Sequence, residues 1–358
     1  MKTMYKILLI FILIPLAITA TEKKGKYTKN KVIKKEYTVN KDALLNISNK
    51  FGNIAIVTNT SNKIEISVSI TTNGDNEEKV AERLNEITIA FEASSSQVSA
   101  KTMIEKSSNS WNLWGNKSNV NMEINYLIKM PVTNHVKLTN DYGSIGLDKL
   151  EGTSSINCDY GKITIGELLN SNNSIAIDYT NKSTIEYMKG GVINADYSTL
   201  HVEKGGRIEL NADYSHLSFG MVADLDFNCD YGDVKINSCE NLTGNSDYMN
   251  TSVEKLSGSA ILNADYGSIK INSIHKNFKK INIQTSYTQI KLGISPENSF
   301  NINATLGYGN LKYNDNFTFQ KENTKTSAKY YEGYYNTPNA NSTIILKTSY
   351  GNITFTNN

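Results

Sequence analysis

The stretch Ile208 to Phe219, IELNADYSHLSF, decides the fold. Residues two apart on a strand share a face. Ile208, Leu210, Ala212 and Tyr214 therefore take one side, and Glu209, Asn211 and Asp213 take the other. After the tyrosine the register shifts by one, and Leu217 and Phe219 carry the apolar face. The stretch reads as two short strands joined at a tight corner, with the tyrosine on the core side.

The same unit recurs along the chain. Asp-Tyr stands at 141–142, 159–160, 178–179, 196–197, 213–214, 230–231, 247–248 and 265–266, so successive tyrosines lie 18, 19, 18, 17, 17, 17 and 18 residues apart. Ser286-Tyr287, Gly307-Tyr308 and Ser349-Tyr350 extend the series, and an earlier copy runs from Leu45 through Phe51 and Gly52 to Ile56. A period near 20 belongs to repeat architectures, in which each unit buries its apolar face only against its neighbours. The fold class expected is all-β, a parallel β-helix or β-solenoid with 17–21-residue rungs, plus a small α+β insertion or cap near the N-terminus. Glycines 143, 161, 232, 267, 309 and 351 follow the tyrosine and suit a corner with positive φ. The repeat at Tyr179 departs from this, with Ile185 and Tyr187 arriving one residue late, which predicts a bulge.

Outside the repeats the pattern changes. Lys2 and Lys6 precede the apolar run Ile7 to Ile18, with small residues to Ala20, which predicts a cleaved signal peptide over 1–20. A flexible segment over 21–40 and the first repeat over 41–57 follow. Residues 58–131 mix alternating strands with a short helix around Val80 and Leu84, and this segment is expected to cover the open N-terminal end. Repeats fill 132–358. No later apolar stretch is long enough to span a membrane, so the mature chain is expected at the cell surface, outside the cell or in the periplasm.

At this point the chain resembles a bacterial family of putative adhesins of unknown function, whose β-strand repeats carry a YG-marked signature. The resemblance rests on FGNIAI at 51–56, MEINYLIKMP at 122–131 leading into LTNDYGSI, and KTSYGNITF at 347–355. It implies export, a β-solenoid body related to autotransporter adhesin heads, and no catalytic residues to transfer.

Composition narrows the function classes. The 37 basic and 35 acidic residues nearly cancel, which leaves no field to gather nucleic acid. Only Arg83 and Arg207 are arginine, so bidentate capture of polyanions is poorly served. Cys158, Cys229 and Cys239 lack metal-ligand spacing, and the first two occupy a slot filled elsewhere by alanine. The four histidines stand at unrelated repeat positions. The aspartate column could suggest calcium, but the GGxGxD pattern is absent and Asp before a corner is an ordinary turn residue. Asparagines 157, 194, 211, 228, 245 and 263 could form a side-chain ladder, or could reflect an asparagine-rich composition.

No catalytic, cofactor or metal residue is assigned, and the chain is read as no enzyme. The expected role is an exported, non-catalytic adhesin or surface binding scaffold, whose partner is a surface glycan or protein. The alternatives are a polysaccharide-active β-helix enzyme and a periplasmic structural or signalling protein. Two non-periodic aromatic stretches are the candidate contact surface: Trp111 with Trp114, and a loop bearing Tyr330, Tyr331, Tyr334 and Tyr335. Each could equally cap an end.

Overall fold

Corresponding strands of successive repeats pair in parallel, in the register their sequence spacing sets. The strand Ser154–Asp159 lies between His135–Asp141 and Asn173–Asp178, with Ile156 opposite Leu138 on one side and Ile175 on the other. Past the corner, Lys162–Leu168 lies between Ser144–Leu150 and Ser183–Asp196. The computed structural model describes residues 25–105 and 120–358. Among these residues there are 24 strands and one helix, and the strands join in a single sheet.

The aliphatic and small residues that parity assigns to the core do point inward. Ile208, Leu210, Ala212, Leu217 and Phe219 are all buried. Burying each large aliphatic side chain contributes about 1.5–3 kcal/mol. The tyrosine does not join them. Tyr214 is 50% exposed and adopts φ 51°. This left-handed residue turns the chain, so Asp213 and Tyr214 both project outward, and Ser215 takes the inward slot at 3% exposure.

The glycine after the tyrosine is therefore needed for space rather than for positive φ. A Cβ on Gly161 would sit 1.9 Å from the carbonyl oxygen of Gly143. Where serine replaces glycine, its hydroxyl serves the backbone. Ser215 Oγ donates to the Ala195 carbonyl at 2.7 Å and accepts the Ser198 N–H at 2.9 Å. Small residues of both kinds thus satisfy one buried corner. At Tyr179 an extra corner residue, Lys182, also takes a positive φ of 57°, and the buried Ser183 follows it. That is the irregularity expected there.

The N-terminal end is closed by strands that reverse direction. Leu44–Lys50 pairs with His135–Asp141 on one side and in parallel with Gln97–Ile104 on the other. Ile87–Ala93 then runs antiparallel to Gln97–Ile104, and Lys63–Gly74 runs antiparallel to Asn121–Pro131. The helix is Glu77–Asn85, with the Asn76 side chain accepting the Lys79 N–H and Val80 buried. Residues 27–38, expected to be flexible, form a strand antiparallel to Lys63–Gly74. Ile33 and Tyr37 pack against the core from one face of this edge strand, and the exposed Lys31, Lys34 and Lys35 keep it charged.

The C-terminal end departs from sequence order. Thr343–Ser349 inserts between Lys280–Ser286 and Phe300–Gly307, parallel to both, and Ile344 faces Ile281 and Ile302. Ala328–Tyr335 pairs antiparallel with Phe300–Gly307, and Phe317–Lys325 pairs antiparallel with it in turn. The tyrosine-rich segment is a strand here, where the sequence suggested a loop.

Candidate functional site

Because every corner aromatic projects outward at the same point of the repeat, the rings stack. The column runs Phe51, Tyr142, Tyr160, Tyr179, Tyr197, Tyr214, Tyr231, Tyr248, Tyr266, Tyr287, Tyr350 and Tyr308. Neighbouring tyrosine centroids lie 4.8–5.0 Å apart with planes within 8° of parallel. All twelve residues have positive φ. The backbone holds each in place: the Tyr197 N–H donates to the Asp213 carbonyl at 3.0 Å, and Tyr214 does the same to Asp230.

The strain and the stacking nearly cancel. A side chain held in the left-handed region costs about 1–2 kcal/mol. One aromatic pair per repeat returns about 0.5–1.5 kcal/mol. Glycine or asparagine would occupy the corner without that strain, so stability alone does not account for an unbroken run of aromatics. Each interior ring has a ring against both faces, leaving its edge and hydroxyl to solvent. Tyr160, Tyr197 and Tyr231 have pKa values raised by desolvation and then by neighbouring tyrosines, which keeps these phenols protonated donors at neutral pH.

An aspartate row runs beside the rings, one residue earlier. Its side chains act between repeats rather than within their own turn: Asp196 Oδ1 accepts the Asp213 N–H at 2.9 Å, and Asp230 Oδ1 accepts the Asp247 N–H at 3.0 Å. Burial, and then the neighbouring carboxylates, push Asp159 and Asp213 above the usual carboxylate range. Among the described residues the sole ion pair to this row is Lys50 with Asp141, at one end. Beyond the aspartates, Asn211 donates to Asn194 at 3.2 Å and Asn263 to Asn245 at 2.9 Å, two links of an amide ladder. Near the inserted C-terminal strand these rows border a polar groove of about 460 Å³ that includes Asn263, Asp265, Gln284 and Lys347.

The other sequence candidates are dispersed. Trp111, Trp114 and the predicted signal peptide lie outside the described residues. Tyr331 and Tyr335 are buried in the C-terminal aromatic cluster, with the Tyr335 ring 5.1 Å from Phe300 and 4.9 Å from Phe317. Tyr330 and Tyr334 alternate with them and are half-buried, and Tyr330 donates to Glu332 at 2.5 Å. The histidines are not brought together: His135 meets Thr153, His201 meets Ser218, and His216 meets Asp233. All three cysteines are buried and unbridged, and burial pushes each thiol up to about 12, leaving it protonated. Among the described residues no helix is long and apolar enough to cross a membrane.

No family model matches the chain, and no curated protein matches it. Several solved structures show a likeness, among them three adhesion-named proteins. One is a putative adhesin from Parabacteroides distasonis ATCC 8503, at 11% identity and TM-score 0.39, over 73% of this chain and 96% of that one. Another is a putative cell adhesion protein from Clostridium sporogenes ATCC 15579, at 13% identity and TM-score 0.17, over 92% of this chain and 100% of that one. The third is a putative adhesin from Bacteroides fragilis NCTC 9343, at 12% identity and TM-score 0.25, over 91% and 97% respectively. Scores this low transfer neither a ligand nor a mechanism.

Proposed function

We propose that this chain is an exported, non-catalytic β-solenoid that works as a surface binding scaffold of the adhesin kind, with the tyrosine ladder as its contact face. The observation that carries this reading is the ladder itself. Tyrosines about half exposed recur at a strained corner that glycine would fill about equally well, so stability does not select them. Tyrosine supplies large, rigid contact area together with a polar tip, the properties that enrich it at binding surfaces. Two histidines do meet carboxylates, His216 with Asp233 and His201 with Glu203. They stand on separate repeats and both imidazoles lie on the exposed surface, so nothing gathers them into one site for a rival enzyme reading.

Protease shaving of intact producing cells, combined with binding of the purified chain to immobilised glycans and matrix proteins, tests the proposal. The chain should be cleaved on intact cells. Replacing Tyr197, Tyr214 and Tyr231 together by glycine should abolish binding while leaving the melting temperature nearly unchanged. Protection from external protease, or binding indifferent to the triple replacement, defeats it.

A further inference from the structure

The stacked geometry narrows what the ladder can recognise. A ligand cannot lie on the interior ring faces, because each is covered by the next tyrosine at 4.8–5.0 Å. Only edges and hydroxyls are presented. An aromatic ring is negative on its face and positive at its edge, so the complement of a row of edges is the π face of another aromatic, in edge-to-face contact. A ligand that satisfies several edges at once must be flat and must extend along the stack. The aspartate row beside the rings carries no ion pair among the described residues except at Asp141, so the strip favours positive charge. The same row disfavours a second copy of this chain laid ladder to ladder, since like carboxylates would face one another.

From these features we infer that the ladder from Tyr142 to Tyr287, with its flanking aspartates, binds an elongated, planar, cationic aromatic molecule lying lengthwise over several ring edges. The inference rests on the ladder being the contact face, and it adds the chemical class of the ligand. Neither the rings nor the aspartates suffice alone: the edges supply shape and orientation, and the carboxylates select charge.

Thioflavin T, a planar benzothiazolium cation, is the probe, titrated into the purified chain and followed by fluorescence. Congo red, planar and elongated but anionic, is the charge control. Saturable thioflavin binding is expected, weakened about ten-fold or more by the triple Tyr197→Gly, Tyr214→Gly, Tyr231→Gly replacement, which corresponds to about 1.4 kcal/mol. Phenylalanine at the same three positions keeps the edges and should hold affinity within about three-fold, a variant that remains informative if the glycine protein does not fold. The triple Asp196→Asn, Asp213→Asn, Asp230→Asn variant should bind more weakly and lose most of its salt dependence. Congo red should bind worse than thioflavin T. Thioflavin binding unchanged in a folded glycine variant, binding lost in the phenylalanine variant, or Congo red binding at least as tightly overturns the inference. Dye binding lost while matrix binding persists overturns this ligand class and spares the scaffold reading. Matrix binding absent while the dye still binds the ladder does the reverse.

Discussion

The middle repeats and the C-terminal end use the same parallel pairing but differ in how sequence maps onto space. From His135 to Ile274 each strand neighbours the copies before and after it in the chain. Beyond that, the last copy, Thr343–Ser349, slips between two earlier ones, and the hairpin Phe317–Tyr335 finishes the sheet. The middle is held by aliphatic columns, whereas the end is held by a cluster of Phe300, Phe317, Tyr335 and Phe355. Periodicity reports that a unit can stack but not which neighbour it stacks on. An inserted strand presents the same parity and corner as any other.

The comparison is broken most severely by deleting residues 343–358. That removes Ile344, Leu346, Ile353 and Phe355 from between strands that need them, a loss of more than about 5 kcal/mol. Hydrogen exchange should show protection lost over 280–335 and kept over 135–250. Uniform loss would mean that the middle and the end unfold as one unit.

Single core replacements sharpen the contrast. Phe300→Ala at the end should cost about 3–5 kcal/mol, and Ile269→Asp in the middle a similar amount through an unpaired buried charge. Denaturant titration measures both. A cost under about 1 kcal/mol for either would contradict its burial.

The corner separates two roles that the sequence alone merges. Gly161→Ala meets backbone at 1.9 Å and should cost about 1–3 kcal/mol, whereas Tyr214→Gly exchanges stacking for relief of strain and should stay within about 1 kcal/mol. Thermal melts of the two variants that came out in reverse order would put the steric demand on the tyrosine.

The smallest effect concerns the aspartates. Burial and then Asp178 and Asp141 raise the Asp159 pKa, so the folded chain holds that proton more tightly than the unfolded chain. Its ionisation therefore opposes folding above the raised value, and the penalty disappears as pH falls toward the ordinary carboxylate value of about 3.9. Asp159→Asn should raise the melting temperature slightly at pH 7 and not at pH 3. A lower melting temperature at pH 7 would show the carboxylate to be favourable.

Sequence alone determined the period, the strand register and the aliphatic inward columns, because period-two parity and an interval of 17 to 19 residues are local quantities that stacking leaves intact. Ile156, Ile175 and Leu210 are buried as their alternation requires. It also placed the helix near Val80, where apolar spacing changes from two to four. Tertiary structure decided the rest. Parity cannot foresee a left-handed residue, so alternation alone places Tyr214 inward, and only the folded corner shows it outside and stacked. The series of tyrosines is legible in the sequence, but alternation assigns it to the core and leaves the non-periodic aromatics as contact candidates; that it forms an outer face depends on one dihedral repeated at every corner. The place of the last strand was likewise undetermined, since parallel pairing with Lys280–Ser286 or with Phe300–Gly307 demands the same alternating pattern, and only the packing of both selects the position between them.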